Sequence, residues 1–231
     1  MATPAADRPK RETYRHGDLR RALIEAGVEL ARAGGPDAIV LRAATRQVGV
    51  APNAAYRHFA DAKALQRAVC GAAQAELARA MEGQLSALPE DVAGPLDGPI
   101  GGAPDDATED PARIARIRLR ALGEAYLDFA EAEPGLFRTA FSVPDDMSGS
   151  TSPQLAGDTG YGAFQLVAAA LDGLVTAGVL SVERRPGAEF VAWAAVHGLA
   201  VLLIDGPLRG VDRPQLVDIG ERVLDMLEHG L

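Results

Sequence analysis

An all-α protein of about nine helices is what the sequence predicts: a short three-helix unit at the N-terminus and a larger helical body after it. Three observations lead there. Alanine and leucine dominate an apolar set that makes up 48% of the chain, and β-branched runs are rare, which is the composition of helices rather than sheets. Apolar residues recur three and four apart, and nowhere does a two-residue alternation persist. Proline, glycine and Asp/Ser punctuation falls between the periodic stretches, where helices start and stop.

Residues 1–13, with Pro4, Arg8, Pro9, Lys10 and Arg11, read as a flexible basic arm. From Asp18, placed to cap a first helix, Leu19, Leu23, Ala26 and Leu30 share one face until Gly34-Gly35-Pro36 ends the run. A second helix spans 41–48 and stops at Gly49. A third opens at Pro52, a residue suited to a helix's first turn, and reaches about Phe59. Asp61 is placed to cap a fourth helix that runs to about Gln84. Residues 87–110 hold four prolines, four glycines, seven acidic residues and no basic one, the pattern of a mobile acidic loop. Helices resume at Pro111, with Ile114, Ile117, Ala121, Ala125 and Phe129 in register, and break at Glu133-Pro134 before a short helix to Phe141. A Pro/Gly/Ser-rich loop at 142–158 precedes helices at about 161–177, 187–204 and 214–229. The domain division expected is 14–63 for the helix-turn-helix and 64–231 for the body.

The net charge of −9 argues at first against a nucleic-acid partner, but it is unevenly spread. Residues 1–63 carry eleven Lys/Arg against seven Asp/Glu, whereas residues 64–231 carry twelve against twenty-five. A basic head on an acidic body is expected when one end alone meets phosphates. Cys70 is the single cysteine, so no internal disulfide and no Cys-based metal site can form, in keeping with a reducing cytoplasm. No apolar signal-type segment opens the sequence, and the longest nearly uncharged stretch, 190–204, falls short of the ~20 residues a spanning helix needs. A soluble, cytoplasmic protein without a membrane partner is expected. No phosphate-binding glycine loop and no His pair at metal spacing occur, His16, His58, His197 and His229 are scattered, and Gly157-Asp158-Thr159-Gly160 lies in a loop without a supporting strand. No enzyme, catalytic residue, metal or cofactor is expected.

Two short helices joined at Gly49 form the minimum DNA-binding unit, glycine permitting the left-handed backbone of a tight turn. Leu41, Ala44, Val48 and Val50 can lock the pair onto the first helix, leaving the outer face of 52–59 free. Asn53 and Arg57, four apart, project on one side of that face. Asn can bond adenine bidentately and Arg can bond guanine or a phosphate, while Ala54 and Ala55 permit close approach.

The run Leu41-Arg42, Ala44, Val48-Gly49-Val50-Ala51-Pro52-Asn53-Ala54-Ala55-Tyr56-Arg57-His58-Phe59 resembles the DNA-binding domain of TetR/AcrR-type regulators over about residues 15–70. Trp193, His197 and Gly198 resemble the W-x-x-x-H-G signature of one subgroup's C-terminal domain. The resemblance implies that Arg42 contacts a base or phosphate, that Asn53 and Ala54 lie in the major groove, and that Tyr56 and His58 meet phosphates. Arg57 would lie near base or backbone, and Phe59 in the core. Two departures stand out. Ala51 occupies the position of the usual capping serine, and Ala62 that of the usual phosphate-binding lysine, Lys63 following one residue late and able to reach a phosphate from the fourth helix.

In the body, the segment 190–204 is apolar all round and should be buried on every side. The last helix sets Leu216, Ile219, Val223 and Leu227 opposite Asp218, Glu221, Arg222 and Asp225. The resemblance implies a four-helix homodimer interface from these two helices, and two-fold symmetry would double the half-site read on double-stranded operator DNA. Tyr126, Phe129, Phe137, Phe141, Phe164, Phe190 and Trp193 can line an apolar pocket, with His197 either its polar anchor or a hydrogen-bonded core histidine. The resemblance implies a small-molecule effector there, and hence a ligand-responsive regulator, more often a repressor. A helical ligand-binding or adaptor protein without operator recognition, or an α-helical enzyme using the pocket, are the other readings.

Overall fold

A computed structural model of the chain describes residues 16–94, 96, 110–143 and 151–230. Among them are nine α-helices and no strand: α1 (His16–Gly34), α2 (Leu41–Val48), α3 (Pro52–Ala55), α4 (Ala62–Ser86), α5 (Pro111–Ala132), α6 (Pro134–Ala140), α7 (Ala163–Thr176), α8 (Ala188–Ile204) and α9 (Arg213–Gly230). The all-α class is as expected. The basic arm, most of the acidic loop and residues 144–150 lie outside the described residues.

Helix starts follow local chemistry. Prolines occupy the first positions of α3, α5 and α6, where a missing N–H costs nothing. Asp110 and Asp61 accept from Ala112 N and Ala64 N at 3.0 and 2.7 Å, capping α5 and α4. Asp61→Ala is accordingly expected to lower stability by ~1 kcal/mol, read as a reduced urea midpoint at unchanged slope.

Three expectations are corrected. The first helix begins at His16, so Asp18 falls inside it rather than at its cap. The third is regular only over Pro52–Ala55: Ala51 supplies no side-chain cap, and residues 56–58 form a tightened turn in which His58 N donates to Ala55 O. The start of the acidic loop is packed rather than loose. Val92 is buried, its carbonyl accepting from Arg118 Nε at 2.8 Å, and Val92 N and Ala93 N both donate to Pro89 O.

One apolar core runs through the molecule, from Leu23, Leu41 and Phe59 to Leu171, Ala200 and Leu227. Its axis is α4, which at 25 residues spans about 37 Å. This helix packs on α1 at one side and on α5, α6 and α7 at the other. In the body, α5 is sandwiched by α7, α8 and α9, and Arg120 ties it to Glu221, Asp225 and Glu228 of α9. Helix α6 also touches α1 and the 3-10 turn Pro36–Ala38, so the body meets the N-terminal helices at two places.

Candidate functional site

At the N-terminal end, Gly49 adopts φ 77° and ψ 27° and turns the chain from α2 into α3. Leu41, Ala44 and Thr45 face inward from α2, and Ala55 and Phe59 from the following segment. What this leaves outside is a polar surface: Arg42, Arg46, Asn53, Tyr56, Arg57 and Lys63 are all exposed, Tyr56 at 56% despite its apolar ring. Phe59 N still donates to Ala55 O at 2.9 Å, so the chain keeps a helical course past Tyr56 even where α3 has ended. Lys63 is the second residue of α4. Two members of the expected set sit differently. Ala54 is half-buried and packs on the core, and His58 is half-buried against a cavity rather than standing in solvent.

That cavity holds about 720 Å³ between the N-terminal helices and the body, within the ~300–1,000 Å³ range of small-molecule sites. Of the aromatic set named from the sequence, Tyr126, Phe141, Phe164, Trp193 and His197 line its wall. Phe129 and Phe137 do not. Phe129 lies three residues past Tyr126 and so is turned by about 60° on α5, into the core at 8% exposure. Phe137 backs the wall from behind, its ring edge-on to Tyr126 at 5.4 Å and stacked on His197 at 5.5 Å. Phe190 is exposed and meets Phe164 at 5.2 Å without lining the cavity. Sequence reasoning missed the other end, where Arg20, His58, Phe59, Arg67 and Gln74 form the wall, and the segment 152–155. Four separate pieces of chain converge there, and no single helical period carries that signal. A second cavity, between α5, α8 and α9, holds about 20 Å³, room for a single water.

Inside the larger cavity, the Trp193 indole N–H donates to Tyr126 Oη at 3.2 Å, and Tyr126 Oη lies 2.8 Å from His197 Nδ1. Burial pushes the Tyr126 phenol up and holds His197 below the usual imidazole range. In the neutral ring with its proton on Nε2, Nδ1 can accept from the phenol. An unfolded chain takes up that second imidazole proton near pH 6.5, whereas the folded one resists it. The folded state should lose stability as the pH falls below about 6.5. His197→Gln, which keeps an acceptor for Tyr126, should flatten that part of the melting-temperature profile between pH 7 and 5; parallel profiles would sink the assignment.

The cavity is connected to α1 through α6. Phe141, on the wall, caps the C-terminal end of α6. At the other end Gly135 lies directly against the last turn of α1, and Glu133 accepts from Arg32 Nε at 2.9 Å. Arg32 also binds Glu29 and Glu76, at 2.6 and 2.8 Å, so one α1 side chain joins α4 and the start of α6. Arg138 grips Asp205 beyond α8 at 2.8 and 3.0 Å and holds its carboxyl below the usual carboxylate range.

Residues 119–227 match the family described as tetracyclin repressor-like, C-terminal domain. Over these residues the chain belongs to that TetR-like domain family. Solved structures align with it along nearly its whole length. A protein of unknown function from Rhodococcus sp. RHA1 is 24% identical with a TM-score of 0.66, covering 96% of this chain and 99% of that one. A candidate TetR-family transcription regulator from Shewanella sp. PV-4 is 16% identical with a TM-score of 0.54, over 92% and 97% of the two chains. Another, from Mesorhizobium loti MAFF303099, is 14% identical with a TM-score of 0.50, over 93% and 96%. At these identities the likeness is one of fold. No curated protein matches the sequence. Among the described residues, no helix is long and apolar enough to cross a membrane, and no group of His, Cys, Asp or Glu is arranged to hold a metal ion.

Proposed function

We propose that the protein is a cytoplasmic, homodimeric, one-component regulator that binds double-stranded operator DNA and leaves it when a small molecule occupies the large cavity; it acts as a repressor. Residues 14–63 serve as the DNA-binding head and 64–231 as the regulatory and dimerisation body. The observation that carries the reading is the surface around Gly49, where Arg42, Asn53, Tyr56, Arg57 and Lys63 are exposed while the intervening apolar residues are buried. Asn53 and Arg57 are the base-reading pair, Ala54 lets the backbone approach, and Arg42, Tyr56, His58 and Lys63 serve phosphates. Tyr126, Phe141, Phe164, Trp193 and His197 hold the effector, and Trp193, His197 and Gly198 support membership of the W-x-x-x-H-G subgroup.

The dimer reading is supported by α8. Expected to be buried on every side, it leaves Val191, Ala194, Gly198, Val201 and Leu202 uncovered within one chain. These positions recur three and four apart, forming one stripe with small residues at its centre, suited to close helix pairing with a second copy. Release from DNA requires that the effector prefer the arrangement in which the heads do not fit the operator. A displacement of Phe141 is transmitted along α6 to α1, because Gly135 touches α1 directly.

Fluorescence anisotropy with DNA from the gene's own upstream region tests this. Specific, salt-dependent binding is expected, since phosphate contacts release counterions. Arg57→Ala should relax base preference and Lys63→Ala should weaken all sequences alike. If neither that DNA nor selection from random sequence yields a preferred site, the regulator reading fails; a monomer by light scattering at micromolar concentration removes the dimer.

A further inference from the structure

Taken with its charge, the cavity wall says more about its occupant than its apolar rings do. The chain as a whole carries −9, with 32 acidic residues against 23 basic, yet among the described residues no aspartate or glutamate lines this cavity. Two arginines do, Arg20 of α1 and Arg67 of α4, and both belong to the end next to the head, beside His58 and Phe59. Among the described residues neither is in a salt bridge. Other arginines of the chain are spent on carboxylates: Arg32, Arg120, Arg138 and Arg185 each hold at least one. The Arg20 guanidinium instead rests over the Phe59 ring at 5.4 Å from its centroid, which holds it at the cavity's edge. The opposite end is formed by Phe141, Phe164 and Trp193, the two phenylalanine rings lying 6.1 and 5.9 Å from the Trp193 ring.

We infer that the effector is an anionic amphiphile, a molecule with one acidic group and an extended apolar body, bound with its charge at Arg20 and Arg67 and its apolar part among Phe141, Phe164 and Trp193. Arg20 and Arg67 are exposed residues at the cavity's rim; a purely apolar ligand would leave their charge unused, and a cation would meet like charge there. An anion gains charge-assisted hydrogen bonds there. Its position also links binding to the head: Arg20, His58 and Phe59 belong to the N-terminal helices, so the acidic group touches the head directly rather than through α6 alone. This inference deepens the proposed regulatory role and rests on it for the word effector, but the binding preference itself does not require DNA.

Trp193 is the only tryptophan and lies on the wall, so its fluorescence reports occupancy of the full-length protein. The probes are decanoate, 1-decanol and decyltrimethylammonium, which share a chain and differ in head charge. Decanoate is expected to bind at least about tenfold more tightly than decanol, and the cation least. Arg67→Gln should abolish most of that preference while leaving decanol affinity unchanged, and Arg67→Lys should restore part of it. Arg20→Gln should do the same, with circular dichroism checking that the loss of its Phe59 contact leaves the fold intact. Equal affinity for decanoate and decanol, tighter binding of the cation, a preference that survives both Gln variants, or no decanoate response at millimolar concentration overturns the inference. Operator binding measured without ligand separates the two failures: anion-selective occupancy without any operator removes the regulator reading and leaves this one standing.

Discussion

Gly135→Ala is expected to destabilise the protein by about 3 kcal/mol and lower its thermal midpoint by roughly 6–12 °C. A Cβ built on Gly135 would lie 2.3 Å from the carbonyl oxygen of Ala31 and 2.7 Å from that of Arg32. Both obstacles are backbone, in the last turn of α1, and the Ala31 oxygen is already committed to Gly35 N at 2.7 Å. No rotamer change relieves them, so α6 must move away from α1 as a unit. It is held at both ends, by Arg32–Glu133 and Arg138–Asp205, and the displacement therefore reaches Phe141 on the cavity wall. Gly83→Ala is the control. It lies exposed inside α4 with nothing within 4 Å of the added carbon, and should stabilise by roughly 0.5–1 kcal/mol through helix propensity. A Gly135→Ala protein melting with the wild type would show that α6 is not seated on α1 as described.

The contrast between those two glycines marks what was legible in the sequence. Features decided by a few consecutive residues were readable: Pro52, Pro111 and Pro134 starting helices, Asp61 capping α4, Gly49 turning left-handed. The length of α3 was not, because the apolar pattern runs on to Phe59 while residues 56–58 tighten into a turn at the helix's C-terminal end. For the cavity, periodicity identified the aromatic set but not which rings face the void. Tyr126 and Phe129 are three apart on one helix, and only the positions of α7 and α8 put the first on the wall and the second in the core. Nothing in the sequence singles out Arg20 and Arg67. Their place at the cavity's edge comes from how α1 and α4 lie together, about 47 residues apart in the chain. Gly135 carried no signal beyond its neighbouring proline, since its reason is a close approach between distant helices.

Glu82 is the further case, and its replacement is expected to open the cavity. It lies on α4 at 8% exposure, and its carboxylate holds no cation among the described residues. Instead Oε2 accepts from Asp158 N at 2.7 Å, and Oε1 from Thr159 N at 3.0 Å and Thr159 Oγ1 at 2.5 Å. The Gly157-Asp158-Thr159-Gly160 loop, which has no supporting strand, is thus a pair of backbone donors closed over a helix carboxylate. The same segment carries Ser152, Gln154 and Leu155 of the cavity wall. Glu82→Ala removes three charge-assisted bonds at once, a local cost of about 3 kcal/mol. Because the cost falls on a segment rather than on the core, it should appear as local opening. The Asp158 and Thr159 amides should exchange roughly a hundredfold faster, and bound probe should leave the cavity faster, with a smaller fall in the thermal midpoint than Gly135→Ala gives. Glu82→Gln should fall between, since an amide keeps one accepting oxygen but turns an NH2 toward a donor. Unchanged exchange at residues 158 and 159 in the alanine variant would show that the loop is held by its own turn, Gly157 N to Tyr161 O at 2.9 Å, and not by Glu82. A selective rise in that exchange, with α5 and α8 unaffected, would make Glu82 the fastening of this part of the cavity wall.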